Sequence, residues 1–132
     1  MILEMMTKED KELLLKDLCA RLPYDVNIHI KGEYHKYHKL ESIDVSTELI
    51  SYFENLHLYE EPLVNCKPYL RTMSSMTEEE NKTYQILTPI VEVVFECDAY
   101  PLIDFLNAHH FDYRGLIKKG LALEAPEDMY KF

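Results

Sequence analysis

Residues 7–23 read TKEDKELLLKDLCARLP and residues 24–32 read YDVNIHIKG, and these two stretches decide the fold. The first predicts a helix, because its apolar residues recur at the spacing of one helical face. Thr7 is a suitable N-cap, and Pro23 disfavours continuation of the helix. The apolar face carries Leu14, Leu15, Leu18, Cys19 and Leu22, and the other side carries mainly Lys8, Glu12, Lys16 and Asp17. We therefore expect Cys19 in the core and Asp17 in solvent.

The second stretch predicts a strand in which alternate residues are buried. One face carries Val26, Ile28 and Ile30, and the other carries Asn27, His29 and Lys31. Gly32 then opens a turn. A helix followed directly by a strand predicts a compact mixed α and β domain near the N-terminus.

The middle of the chain predicts more strands. Residues 40–46 form a return strand with Ile43 and Val45 on one face. Residues 49–60 fit a helix or a strand by period alone. We favour two strands joined by a turn at residues 54–55.

The second half of the chain predicts two further helices. A capping box within residues 75–80 starts a helix that should end at Pro89. The β-branched residues of 90–96, IVEVVFE, predict a central strand. Asp98 can cap the last main helix, and residues 111–120 form a further helical turn. Since short links favour antiparallel pairing, we predict an α+β fold: a small, mainly antiparallel sheet of about four or five strands packed against the N-terminal helix and two further helices.

Three blocks of the sequence resemble a known family. They are TKEDKELLLKDLCARLPY (residues 7–24), KPYLRTMSSMTEEE (residues 67–80) and HFDYRGLIKKGLALEAPEDMY (residues 110–130). These strings resemble a family of small proteins from gut bacteria of the Bacteroides type, often found near phage-like or mobile DNA. The resemblance implies no established activity. It implies that the chain starts at the methionine before TKED, and we expect residues 1–6 to be a disordered or mis-assigned start.

Length and composition predict a single domain over residues 1–132. The apolar fraction of 47% is enough for a core, and no stretch approaches the roughly 20 apolar residues that span a bilayer. MILEMM is too short and too acidic for a signal peptide, so the default location is the cytoplasm. Cys19, Cys66 and Cys97 are odd in number and far apart, which predicts reduced thiols rather than disulfides.

The net charge of −10 is unevenly distributed. Residues 40–66 carry six carboxylates and residues 85–113 carry five, and neither stretch contains a lysine or an arginine. Such surfaces repel phosphate backbones, which disfavours nucleic-acid binding. They can attract a basic protein partner or imitate DNA, although solvated acidic surface is commoner. The partner's identity and the oligomeric state do not follow from the sequence.

Residues 31–39, KGEYHKYHK, form the one locally basic patch of the sequence. Its lysines are interleaved with Tyr34 and Tyr37, which suits either binding of single-stranded nucleic acid or a plain hairpin tip. Three histidines on this hairpin, two of them at H-x-x-H spacing, offer imidazole ligands of the kind that Zn²⁺ accepts. The candidate metal ligands are His29, His35 and His38.

Asp112, Tyr113 and Arg114 form a second candidate site. An arginine can make a planar bidentate contact to a carboxylate of a partner. It can also pair with a nearby aspartate and hold a chain reversal, with Tyr113 packed over the pair. Arg71, within another of the resembling blocks, is its counterpart in the candidate binding set.

Little in the sequence favours catalysis. Cys66 precedes Lys67, so its thiol is a candidate nucleophile with a lowered pKa. The sequence contains no G-x-S-x-G turn and no nucleotide phosphate loop, and we predict no cofactor. With the context that the resemblance implies, we expect a non-catalytic cytoplasmic accessory protein of a phage-like or mobile element that binds another protein through an acidic surface. The alternative is a small metal-assisted hydrolase that uses the hairpin histidines.

Overall fold

The computed structural model describes residues 6–34, 36–93 and 100–130. Over these ranges the chain forms three helices and six strands, which confirms the α+β class. The sheet is therefore larger than the four or five strands predicted. No helix in these ranges is both long enough and apolar enough to cross a membrane.

The first helix, α1 (Lys8–Arg21), follows the prediction closely. It begins at Thr7, whose Oγ1 accepts a hydrogen bond from the N–H of Asp10 at 3.0 Å. It is followed by a short 3₁₀ turn at Leu22–Tyr24, with a proline in the first turn. Met6, expected to belong to a disordered start, packs against the core.

The buried face of α1 differs from the predicted one. Leu14 and Leu18 are fully buried, but so is Asp17, whereas Cys19 is exposed. The expected positions of Asp17 and Cys19 were therefore wrong. The reason is tertiary: Arg114, 97 residues further along the chain, reaches Asp17 and supplies the counter-charge that a buried carboxylate needs.

Six strands form one sheet. They are β1 (Asn27–Ile30), β2 (His38–Asp44), β3 (Leu49–Glu54), β4 (His57–Pro62), β5 (Cys66–Leu70) and β6 (Leu123–Glu124). Their order is β4-β3-β2-β1-β5-β6, and all neighbours are antiparallel except β5 and β6, which are parallel. Leu14 and Leu18 of α1 join apolar side chains of β1, β2, β3 and β5 in the main core cluster.

β1 and β2 form the predicted hairpin. Val26 and the alternate apolar residues of β1 are buried, as predicted. β2 ends at Asp44, whose carboxylate accepts hydrogen bonds from the N–H groups of Ser46 and Thr47 and starts a turn. Val45 therefore lies in this turn, 56% exposed, and its predicted place on the apolar face is wrong.

β3 and β4 form a second hairpin, which confirms the strand interpretation of residues 49–60 over the helical one. The two turn residues are Asn55 and Leu56, one position later than predicted, and Glu54 pairs with His57 across the turn. Both turn residues have positive φ, 53° for Asn55 and 69° for Leu56, as a type I′ turn requires.

Replacing Leu56 with glycine should raise the free energy of unfolding. The left-handed conformation costs a residue with a Cβ atom about 1–2 kcal/mol, and part of the gain is offset by the entropy of glycine in the unfolded chain. We expect a net stabilisation of about 0.5–1 kcal/mol in urea denaturation. The side chain is 96% exposed, so no packing is lost.

Leu56→Ala is the matched control, because it removes the same exposed surface and keeps the Cβ atom. It should leave stability nearly unchanged. A Leu56→Gly protein no more stable than Leu56→Ala would show that the turn conformation carries no strain.

The second helix, α2 (Glu78–Val93), begins with the predicted capping box. The N–H of Glu80 donates to Thr77 Oγ1 at 3.1 Å, and the N–H of Thr77 donates to Glu80 Oε1 at 2.9 Å. The helix runs past Pro89, so its predicted end is wrong. The strand predicted over 90–96 is wrong in its first part, which is helical, and its last residues lie outside the described ranges. A short apolar run fits a helix as well as a strand by period.

The third helix, α3 (Tyr100–Ala108), contacts both α1 and α2. Its predicted cap, Asp98, lies outside the described residues, as does Cys97. The described side chains of α2 and α3 do not belong to the main core cluster. Among the described side chains, those of α1 are the α-helical part of this cluster.

The C-terminal segment returns to the sheet. β6 extends it beside β5, and Tyr130 then bridges β5 and β1. The Tyr130 hydroxyl accepts from the N–H of Asn27 and donates to the carbonyl oxygen of Tyr69, both at 2.8 Å. Burial raises the pKa of the Tyr130 phenol, which keeps this bridging hydroxyl neutral.

Candidate functional site

A buried ion cluster, composed of Asp17, Arg21 and Arg114, joins α1 to the chain after α3. Arg21 Nε donates to Asp17 Oδ2 at 2.9 Å, and Arg114 Nη1 donates to Asp17 Oδ1 at 2.8 Å. Asp17 and Arg21 are fully buried, and Arg21 Nη2 also donates to the carbonyl oxygen of Phe111. Both oxygens of the carboxylate are occupied, so the cluster fixes the chain rather than presenting a free reactive group.

Tyr113 packs against the same cluster. The Arg114 guanidinium lies 4.4 Å from the centroid of the Tyr113 ring, and that of Arg21 lies at 5.6 Å. The Tyr113 hydroxyl donates to Asn107 Oδ1 at 2.8 Å. Burial raises the pKa of this phenol. Tyr113 therefore packs against the two arginines that bind Asp17.

Asp112 caps a turn and does not form the expected ion pair with Arg114. Its carboxylate does not pair with Arg114; it accepts the backbone N–H groups of Leu116 at 2.8 Å and Ile117 at 3.0 Å. These bonds begin the turn of residues 116–120. The aspartate that pairs with Arg114 is Asp17, and Asp112 stabilises the turn that follows Arg114.

A second cluster, composed of Arg71, Glu80 and His109, lies between β5, α2 and the end of α3. Arg71 binds the Glu80 carboxylate through two hydrogen bonds, of 2.8 and 2.7 Å. His109 Nδ1 lies 2.9 Å from Glu80 Oε2. Hydrogen bonding to Arg71, together with the Thr77 N–H, lowers the pKa of Glu80 to about 2. The carboxylate is therefore ionised and held by several donors at neutral pH.

This second cluster borders an open groove of about 840 Å³ between α2 and the C-terminal segment. Glu78, Glu79 and Glu127 also line it, so the groove is mainly acidic. Arg71 and Arg114 do not meet in it, because each has a separate carboxylate partner. Phe111 connects the two clusters: Arg71 lies 4.3 Å from the centroid of its ring, and Arg21 bonds to its carbonyl oxygen.

The candidate metal ligands on the first hairpin are not brought together in the described part of the chain. His38 pairs with Ile28 across β1 and β2, so these two side chains lie on the same face of the sheet. His29 follows Ile28 in β1, so its side chain lies on the opposite face from that of His38. His38 Nε2 lies 2.6 Å from Glu33 Oε1, and its ring stacks on Tyr52 at 4.1 Å. His35 lies outside the described residues. Within those residues, no group of three His, Cys, Asp or Glu side chains could hold a metal ion.

A small basic pocket lies on the face of the sheet that bears His29. Its volume is about 310 Å³. Tyr34 stands at its rim with 79% of its surface exposed, and Tyr37 packs edge-on against Tyr69 nearby, with ring centroids 6.3 Å apart. The residues that define this pocket are His29, Lys31, Tyr34, Val64, Lys67 and Leu123.

Cys66 does not have the properties of a nucleophile. It lies in the core at the start of β5 and is fully buried. Burial raises the pKa of its thiol to about 12, with the Glu61 carboxylate acting in the same direction. The expected lowering of its pKa by Lys67 is wrong, because loss of hydration outweighs the neighbouring cation.

An acidic hairpin, composed of β3, its turn and β4, forms one edge of the sheet. β4 is the terminal strand, with β3 as its one neighbour among the described strands. The hairpin exposes several large apolar side chains. They are Phe53, Leu56, Leu58 and Tyr59. Glu60 and Glu61 lie among them on β4.

Over the described residues, the fold and its sites define an α+β protein with two ion clusters, a basic pocket and an acidic sheet edge, β4, that no described strand covers. Comparisons with protein-family models, with curated proteins and with solved structures find no match for this chain.

The sequence reasoning missed several residues of the two ion clusters. Asp17 and Arg21 were not paired, although their i, i+4 spacing on a helix is a local signal of such a pair. Glu80 was assigned to the capping box alone, because its second partner, Arg71, belongs to a different element. The contact of His109 with Glu80 joins residues 29 positions apart in the sequence, for which there is no local signal.

Proposed function

We propose that this chain is a non-catalytic cytoplasmic accessory protein of a phage-like or mobile element, and that it binds a basic protein through the acidic hairpin. The observation that carries the proposal is the edge strand β4, which no other described strand covers on its outer side and which combines exposed apolar side chains with carboxylates. The resemblance of residues 7–24, 67–80 and 110–130 supports the phage-like context.

Four exposed large apolar side chains lie together on the acidic hairpin. Phe53 and Leu58 are cross-strand partners on the same face, and they are 51% and 54% exposed. Leu56 at the turn and Tyr59 on the other face of β4 extend the exposed apolar surface. Contiguous exposed apolar side chains at a sheet edge are typical of surfaces that a partner covers.

The charges define the chemistry of the partner. Residues 40–66 contain six carboxylates and no lysine or arginine, and Glu60 and Glu61 stand on β4 itself. A partner strand that alternates basic and apolar residues would match both features and could pair with the free edge by strand addition. A second copy of this chain fits less well, because antiparallel pairing of two β4 strands brings carboxylates together.

The proposal can be tested with a fluorescently labelled peptide of alternating lysine and valine. Its binding to the protein is measured by fluorescence anisotropy at low salt. We expect saturable binding that weakens at high salt, where charge attraction is screened. The double variant Glu60→Lys/Glu61→Lys should weaken it by at least about tenfold. Phe53→Ser/Leu58→Ser should also weaken it, and the amides of β4 should exchange more slowly when the peptide is bound.

The matched control is Glu78→Lys/Glu79→Lys, which makes the same change in net charge at two exposed positions of α2. This control should bind the peptide almost as the wild type does. Equal losses in the two charge-reversal variants would show that binding follows net charge rather than the hairpin. That result, or the absence of binding, would refute the proposal.

A further inference from the structure

We propose that the basic pocket binds a small phosphate monoester that carries a flat aromatic ring, of the size of a nucleoside monophosphate. The pocket lies where β1, β5 and β6 adjoin, and the acidic hairpin lies at the opposite edge of the sheet. The inference therefore concerns a second site and stands apart from the proposed protein partner.

The charge of the pocket is opposite to that of the protein. Lys31 and Lys67 line it, and none of its described lining residues is acidic. Three of the other lysines are paired: Lys11, Lys36 and Lys39 have carboxylates at 3.6, 2.8 and 3.7 Å. Within the described ranges, no carboxylate stands at ion-pair distance from Lys31 or Lys67. Two unneutralised lysines on a concave surface of an acidic protein form a site for an anion.

The two lysines are held by ordered backbone. Lys67 lies in β5 directly opposite His29 of β1. The backbone N–H of Lys31 donates to the carbonyl oxygen of Asn65 at 2.8 Å, which ties the first turn of the hairpin to the chain before β5. The His29 ring is also fixed, because its Nε2–H donates to the carbonyl oxygen of Glu33 at 2.8 Å. The sheet thus fixes the backbone from which both lysine side chains extend.

The walls of the pocket favour a ligand with a flat apolar part. Tyr34 at the rim is 79% exposed and Val64 is 47% exposed, so an aromatic ring and an aliphatic side chain are both open to a ligand. An exposed tyrosine can stack on a heterocyclic base. Gly32 adds an open side to the pocket, since a Cβ atom built there would meet nothing within 4 Å.

The size of the pocket and the surrounding charge favour a small ligand over a polymer. A volume of about 310 Å³ is near the lower end of the range for small-molecule sites, roughly 300–1,000 Å³. A nucleic-acid strand that left the pocket would meet a protein of net charge −10. A single phosphate bound between two lysines avoids most of that repulsion.

To test the proposal, the ¹⁵N-labelled full chain is titrated with adenosine 5′-monophosphate, and the changes in its amide chemical shifts are measured by NMR. We expect saturable shifts confined to residues 29–34 and 64–67. Adenosine, which lacks the phosphate, should bind at least about tenfold more weakly. Inorganic phosphate should shift the lysine side of the pocket and leave Tyr34 unchanged.

Two variants separate the parts of the site. Lys31→Met/Lys67→Met should weaken binding of both the nucleotide and inorganic phosphate by at least about tenfold, because it removes both cations. Tyr34→Ala should weaken binding of the nucleotide and leave that of inorganic phosphate unchanged. Tyr34 is so exposed that this variant should fold normally, which keeps the test informative if the double lysine variant is unstable.

The control is Lys8→Met/Lys82→Met, which removes two exposed lysines of α1 and α2 with the same change in net charge. It should bind the nucleotide within about twofold of the wild type. The inference is overturned if millimolar nucleotide causes no saturable shifts, or if the control loses as much affinity as the pocket variant. Tighter binding of an oligothymidylate than of the mononucleotide would also overturn it, in favour of a single-stranded nucleic acid.

Discussion

Replacing Asp17 with asparagine should lower the free energy of unfolding by about 3–5 kcal/mol, the usual cost of breaking a buried ion pair from one side. The change is nearly isosteric, so packing is conserved and the loss is electrostatic. Arg21 and Arg114, both bonded to the Asp17 carboxylate, would lose their shared counter-charge. Because a domain of this size is stable by only about 5–15 kcal/mol, the variant should be close to unfolding at moderate temperature.

The loss should be large because the cluster has little access to water. Asp17 and Arg21 have no exposed surface, and the Arg114 side chain is 14% exposed. Arg21 Nη1 already lacks a hydrogen-bond partner among the described residues. Asparagine keeps one acceptor oxygen but turns an NH2 donor towards the other arginine, so only one of the two bonds from Arg21 and Arg114 can be retained and neither guanidinium has a counter-charge.

Urea denaturation of the wild type and of two comparison variants should establish the cause. Asp104→Asn makes the same chemical change at an exposed position of α3 and should alter stability by less than about 0.5 kcal/mol. The triple variant Asp17→Leu/Arg21→Met/Arg114→Met removes all three charges and should be more stable than Asp17→Asn, since no buried charge remains unpaired. If Asp17→Asn were as stable as the wild type, the cluster would not contribute to folding.

The sequence predicts the local part of this fold well, because local patterns carry the relevant physics. The Thr7 cap, the alternation of Val26, Ile28 and Ile30, and the Thr77–Glu80 capping box all depend on residues within a few positions of one another. The α+β class and the mainly antiparallel sheet follow from such elements and from the short links between them.

The failures share a non-local cause. Asp17 is buried and Cys19 is exposed, the reverse of the expectation, because Arg114, 97 residues after Asp17, pairs with the Asp17 carboxylate. The sixth strand, β6, is two residues long and exists through its parallel pairing with β5, which no local pattern indicates. The run at residues 90–96 contains β-branched residues that suit either a helix or a strand, and the tertiary structure selects the helix at its start.

The sequence indicated several residues of the candidate sites but not the residues that they contact. Tyr113 contacts its neighbour Arg114, but Arg71 and Arg114 pair with Glu80 and Asp17, carboxylates of other elements that sequence spacing could not name. Tyr34 and the neighbouring basic residues were recognised as a locally positive patch. The contribution of Lys67 was missed, since it comes from β5 and reaches the patch through the pairing of β5 with β1.

Lowering the pH from 6.5 to 4 should destabilise the protein by about 3 kcal/mol through His110 alone. Its side chain is 1% exposed, and its Nε2–H donates to the carbonyl oxygen of Tyr24 at 2.8 Å. Burial first, and then the positive charge of Arg21, lowers the pKa of His110 to about 4. In the unfolded chain the same imidazole titrates near its ordinary value of about 6.5.

The sign follows from which state binds the proton. Between pH 6.5 and 4 the unfolded chain protonates this histidine and the folded protein does not, so acid favours unfolding. The contribution is fully present above pH 6.5 and is lost as the pH falls towards 4. The charges around His110 act in the same direction: Arg21, Arg71 and His109 all disfavour a cation there, against the single carbonyl of Tyr24.

Glu80 produces a separate transition at lower pH. Its pKa is lowered to about 2 in the folded protein, so its contribution is present above its ordinary value near 4.5 and is lost as the pH falls towards 2. The loss of stability between pH 6.5 and 4.5 can therefore be assigned to His110 without interference from the Arg71–Glu80 pair.

Urea denaturation of His110→Asn at a series of pH values measures this contribution. Asparagine tolerates the φ of 60° at this position and does not titrate, so the variant should be less stable at pH 7 but should lose much less stability between pH 6.5 and 4.5. His57→Asn, at an exposed histidine of β4, should keep the wild-type dependence. A His110→Asn protein with the full wild-type dependence would show that another group causes the acid sensitivity. The difference between the two slopes thus isolates one buried imidazole, which Arg21 and the surrounding apolar side chains keep neutral.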